Sequence, residues 1–369
     1  MKMIRPTPID DAALISSNVP ETDYSEFASV TTYAQGDRVL LASSHRNYES
    51  LVPSNLGNHP EVVSSSLNLA IAGNRVFTVS TGLSFAAAQE VEVYAADDPI
   101  VLLTGTVTSY TSGTLVLNIT DVKGGGFHSA WIIKRPAMWL DIGTNNRWRM
   151  FDKSATSQTT NLDSIVISTS VAGRIGAVAL VNIEASSVQV QVSHPSSGVI
   201  YDSTQTLSLT NGIKTWYAWF FGQRSRSTFA VFDDLPPYAG ATLTITISDP
   251  GNTVACGACV IGQVSELGDT QLGMELGIVD YSVKSVDDWG NATVVQRAAA
   301  NVSRMTLLVD NNKADSVHAT LKAFRATPAV YVGSKLFGAS VIYGFFKSFS
   351  VVVAYPDHSL CDIEIEELI

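Results

Sequence analysis

Apolar residues recur at every second position along most of this chain, and that alternation narrows its possible folds more than any other feature. Val188, Val190 and Val192 alternate with polar partners, the period of a strand with one face buried. Leu243, Ile245 and Ile247 repeat the pattern and run into Asp249-Pro250-Gly251, a turn sequence expected to end the strand. TGTVTSYTSGTLVLNIT (104–120) reads as two strands around Ser112-Gly113. Near the end, Cys361, Ile363 and Ile365 share one face, and Asp362, Glu364 and Glu366 the other. One segment departs from this period. Val317, Leu321 and Phe324 recur at four and three residues, which predicts a helix over about 313–326. Asn312 can cap it and Pro328 forbids much extension. Short strands with frequent turns read as a mostly β, multi-domain chain of sandwiches or barrels.

Composition sets the outer limits. The chain has 369 residues, more than one core usually serves, with 46% hydrophobic and only 15% charged residues. A net charge of −11 argues against a nucleic-acid surface, which needs clustered Lys and Arg. No apolar run is long enough for a membrane span. The first residues lack the apolar region of a signal peptide, so synthesis in a cytoplasm is expected.

The residues that carry chemistry are sparse. Cys256 and Cys259 form a CxxC, with Cys361 and His358 elsewhere. It reads either as a redox pair or half a zinc site, or as small buried thiols in a strand. Carboxylates adjoin at Asp97 and Asp98, Asp233 and Asp234, and Asp287 and Asp288, but neighbours in a strand point to opposite faces. No hydrolase, zinc-protease or phosphate-loop motif is present. The expectation is a protein that is not an enzyme, with no cofactor and no metal.

The aromatic residues are the more informative group. YAQGDRVLLASSHRNYES, with Tyr33, Gly36, Val39 and Tyr48, starts a small β-module whose closing tryptophan comes only at Trp139, in AMWLDIG. Joining 31–66 to 136–153 restores a compact three-stranded unit, with 67–135 as an inserted β-domain. The joined unit resembles carbohydrate-binding modules of the chitin-binding type. Tyr33, Tyr48 and Trp139 are its candidate sugar-stacking rings, or else its own core. The segment from RVFTVSTGLSF to HSAWII (75–133) is similar to a small β-domain of bacteriophage tail and tail-fibre proteins. The stretch beginning DWGNATVVQRAAANVSRM is similar to the ends of tail or baseplate-region proteins.

The resemblance implies a virion tail component (baseplate, fibre or adaptor) that assembles with three- or six-fold symmetry alongside other tail proteins. Host surface polysaccharide would be a further partner. A carbohydrate-binding receptor protein and a polysaccharide depolymerase are the alternatives. Residues 1–30 read as an N-terminal arm, 154–262 as a β-sandwich and 263–369 as a β-rich C-terminal domain with the helix. In GIKTWYAWFFGQR, alternation predicts a strand with Trp216, Trp219 and Phe221 available to a subunit contact. Arg224 and Arg226 are expected to solvate the adjoining loop.

Overall fold

The computed structural model describes residues 1–98, 100–170, 173–209, 215–221, 225–286, 289–325, 327–353 and 355–368. It is mostly β, and it divides into two units: Glu21–Asn145, and Met1–Pro20 with Asn146–Ile369.

In the first unit, Arg46–Ser50 pairs with Arg38–Leu41 on one side and Trp139–Thr144 on the other. Residues from both sides of a long insertion therefore complete one three-stranded sheet. The inserted part is a six-stranded antiparallel sheet around a core that includes Phe77, Val93, Leu103, Leu115, Leu117, Trp131 and Ile133, all fully buried. Its first strand, Glu61–Ser64, pairs with its last, Trp131–Lys134, in the register Glu61 to Lys134. The two ends of the insert thus lie side by side, and the host sheet accepts it at little closure cost. The insert spans 61–134 rather than 67–135. Val62 and Ile133 are cross-strand partners, and that long-range pairing settles the boundary. The hairpin expected at Ser112-Gly113 forms, with φ of 49° and 88°. Both central residues of such a tight turn need positive φ, which suits glycine at the second.

The second unit is organised by one 25-residue strand, Thr242–Glu266. The turn expected at Asp249-Pro250-Gly251 is a bend, and the strand resumes beyond it. The partner strand Thr159–Thr169 pairs with it on both sides of this point, Ser164 opposite Ser248 and Leu162 opposite Thr253. Its register shifts between Leu162 and Ser164, and the Gly251 amide donates to Asp163 Oδ1 at 2.7 Å. Before the bend the long strand pairs with Ser187–His194, and after it with Ala177–Glu184. Ile165, Val188, Val190, Ile245 and Ile247 from one layer pack with Val178, Leu180, Phe232 and Ile261 from the other. That is the β-sandwich. Ala177–Glu184 is buried on both faces: Val178 and Leu180 face this core, while Ala177, Ala179 and Val181 face a second one with Val330 and Tyr343.

Residues 1–30 are not an arm. Lys2–Pro6 is a strand between the long strand and Ala329–Val332, with Met3 and Ile4 fully buried. Gly262 permits this pairing, because a Cβ there would lie 1.7 Å from the Arg5 carbonyl oxygen. Five residues are too few for alternation to register in the sequence. Residues 21–30 instead fall in the first unit, where Glu26 bridges Leu40.

The sheet continues through Val341–Val352, His358–Glu367 and Ala299–Asp310. The helix runs Asn311–Ala323, two residues ahead of the expected start, with Asp310 at its N-cap. Asn312 is inside it. Val317, Leu321 and Phe324 pack against the sheet, as their spacing requires, in a core that includes Met305, Leu307 and Ile363.

Candidate contact surfaces

The three-stranded module brings Tyr33, Tyr48 and Trp139 together. The Tyr33 and Trp139 rings lie 5.5 Å apart at 68°, and Phe27 stacks on Tyr33 at 5.8 Å. The exposures of Tyr33, Tyr48 and Trp139 are 9%, 1% and 4%. Their polar ends are used internally: Tyr33 Oη accepts from the Ala28 amide at 2.8 Å, and Trp139 Nε1 donates to the Asn58 carbonyl at 2.6 Å. Stacking a sugar requires an exposed ring face, and none of the three has one. They are the core of the module, because a unit this small holds few other large apolar residues.

Beneath them runs a charged network that no sequence pattern announced. The Tyr48 hydroxyl donates to Glu61. Lys134 Nζ lies 3.0 Å from Glu61 Oε1 and 2.8 Å from Asp141 Oδ2, and Arg46 Nε lies 2.7 Å from the same Asp141 oxygen. Burial alone would raise the Asp141 pKa, but hydrogen bonds from Arg46 and Lys134 outweigh it and hold the carboxyl below its ordinary value. Burial, then the Glu61 charge, pushes the Tyr48 phenol far up. Arg135 is fully buried, lies 3.8 Å over the Phe85 ring, and donates through Nη1 to Asn58 Oδ1 and the Ser84 carbonyl. Burial lowers its pKa to about 10. These groups join the module to its insert, and their partners lie up to 95 residues apart, beyond the reach of any local pattern.

The other predicted contact residues are placed differently from their expectation. Trp216–Phe221 is one short helix, not a strand. Aromatic residues favour strands, and six residues are too few to display a helical period. Trp216 is 80% exposed, Tyr217 74%, Phe220 69% and Phe221 74%. The rings pair one turn apart, Trp216 on Phe220 at 6.3 Å and Tyr217 on Phe221 at 5.1 Å. The side chain of Trp219 lies outside the described residues. The helix is carried between Ser208–Leu209 and Ser225–Arg226, which pair with each other. Arg226 is not simply a solvated loop residue: it is ion-paired with Asp249.

A second exposed feature is a ribbon. Glu275–Asp280 is an edge strand paired with Ala299–Asp310. Beyond it, Val283–Val286 pairs with Ala292–Val295. Among the described residues of 281–298 none is buried, and Tyr281, Val283, Trp289, Val294 and Val295 are apolar groups in water.

The remaining candidates are internal. Cys256 and Cys259 are free, buried and mid-sheet, opposite Ile183 and Leu180. Burial pushes the Cys256 thiol up to about 12 and Cys259 higher than usual. No helix starts at the motif, so nothing there favours a thiolate. Among the described residues no cluster of His, Cys, Asp and Glu could hold a metal ion. Asp233 is ion-paired with Lys2 and Lys335, Asp234 accepts from Tyr201 Oη at 2.7 Å, and Asp97 lies 2.9 Å from His128 Nδ1. Asp287 and Asp288 lie outside the described residues. A cleft of about 770 Å³ is lined by Asn182, Arg226, Phe229, Asn301, Lys335 and Glu367, among others. Among the described residues no helix is long and apolar enough to cross a membrane. The chain matches no protein-family model and no curated protein.

Proposed function

We propose that this chain is a structural component of a phage virion tail, as baseplate, fibre or adaptor, that assembles as a symmetric homo-oligomer and can contribute to host attachment. The observation that carries self-assembly is the ribbon at 281–298. A two-stranded ribbon with both faces in water is marginally stable at best, and this one keeps Val283, Val294, Val295 and Trp289 exposed. Further strands or apolar surface from neighbouring copies would cover it. The edge strand Glu275–Asp280 offers main-chain groups for the same purpose. The virion assignment is supported by the resemblance of the module, the insert and the C-terminal stretch to tail proteins.

The test is sedimentation of the full chain together with mass spectrometry of purified virions. A three- or six-fold species and a matching copy number are expected. A monomer that is absent from virions sinks the proposal. Glycan-array binding by that monomer would favour a carbohydrate-binding receptor protein, and shortening of capsular chains would favour a depolymerase.

A further inference from the structure

We infer that His128 is a pH-sensitive clip that pins the glycine-rich loop 124–126 to Asp97 and releases it when the imidazole loses its proton. The inference concerns the inserted sheet and does not depend on the assembly reading.

His128 ends the two-residue strand Phe127–His128, which pairs with Asn68–Leu69. Its side chain is only 9% exposed. Its carbonyl accepts from Trp131 Nε1 at 3.0 Å and the two rings meet edge-on at 5.5 Å, so the imidazole is held in place. Each ring nitrogen faces an acceptor. Nδ1 lies 2.9 Å from Asp97 Oδ1, and Nε2 lies 3.2 Å from the Gly125 carbonyl oxygen. The ring is seated against the loop backbone, because a Cβ on Gly126 would lie 3.3 Å from Nε2. A neutral imidazole carries one N–H and an imidazolium two. Only the cation satisfies both acceptors at once.

Among the described residues, the charged groups that act on the ring are Asp97 and Asp98. The Gly125 carbonyl first, and then the Asp97 carboxylate, outweigh burial and raise the His128 pKa above the ordinary histidine value. When one proton leaves, the other stays with the carboxylate, the stronger acceptor. A lone pair on Nε2 then faces the Gly125 oxygen, and that contact is lost. Three consecutive glycines leave the loop without side chains of its own, so backbone contacts hold it. One of these is the Ala70 amide, which donates to the Gly126 carbonyl at 2.9 Å. Phe127, 67% exposed, follows the loop directly. A raised folded pKa sets the direction. The clip is complete below the unfolded histidine pKa of about 6.5, and it opens as pH rises through the folded value.

The full chain is titrated through the histidine range by NMR, following the His128 ring nitrogens together with the Gly125, Gly126 and Phe127 amides. Hydrogen exchange at the Ala70 amide is measured alongside and corrected for its intrinsic pH dependence. The expected result is a His128 midpoint above the ordinary value, loop shifts that share it, and the Nδ1–H tautomer at high pH. Ala70 exchange should rise roughly fivefold across that midpoint, about what one net hydrogen bond is worth. Asp97→Asn, at a side chain 53% exposed, should keep the fold and lower the midpoints of ring and loop together. His128→Gln should remove the pH dependence of Ala70 exchange. The inference is overturned if His128 titrates at or below the ordinary value, or if the loop amides ignore its midpoint. It is equally overturned if Asp97→Asn moves the ring alone, or if His128→Gln leaves the pH dependence in place.

Discussion

Lys134 and Glu61, cross-strand partners at the two ends of the inserted sheet, lie 3.0 Å apart, and Glu61 is buried. One contact therefore closes the insert on itself. Through Tyr48 and Asp141 it also ties the insert to the module that was split to receive it.

Removing the cation should be costly. Lys134→Met leaves Glu61 buried without its counter-ion, and a loss of about 2–4 kcal/mol is expected. A double-mutant cycle with Glu61→Gln, read by denaturant unfolding, should return a coupling of about 1 kcal/mol or more. A coupling near zero would show that the pair is ornamental.

Asp141 should make stability depend on acid. Its folded pKa lies below its ordinary value, so its contribution is present above the unfolded carboxylate pKa of about 3.9. It is lost as pH falls from there through the folded pKa. Melting curves of wild type and Asp141→Asn should differ by a constant gap near neutrality that narrows below about pH 4. A gap that widens on acidification contradicts the pairing.

Ile4 should behave as a core residue although it is fourth in the chain. Ile4→Ala is expected to cost about 2–4 kcal/mol, because the side chain is fully buried between strands that join the sandwich to the C-terminal sheet. An exposed arm would give a change within about 0.5 kcal/mol.

The CxxC thiols should be inert. With both buried and their pKa values raised, neither should react with a thiol reagent at about pH 8 until the protein is denatured. Rapid labelling of Cys256 in the native protein would restore the redox reading.

Much of the architecture was legible because it follows local periods. Val188 and Val190 face the core opposite Ile247 and Ile245, and Val317, Leu321 and Phe324 lie on one side of a helix. The return of the split module at Trp139 was legible too, because the residue types that complete its sheet are distinctive. The candidate surfaces were less so. Burial of Tyr33, Tyr48 and Trp139 depends on how many other apolar groups a small module can recruit, and the helix at Trp216 is too short for its period to outweigh the strand preference of aromatic residues.

By itself, the sequence determined the β class, the insertion and the long helix, since side-chain alternation and apolar spacing are set by backbone geometry within a few residues. Only the tertiary structure decided that Lys2–Pro6 is a central strand, that Asp249-Pro250-Gly251 bends a strand instead of ending it, and that Glu61 belongs to the insert. Each depends on a partner far along the chain, and pairing energy between distant residues leaves no mark on either segment alone.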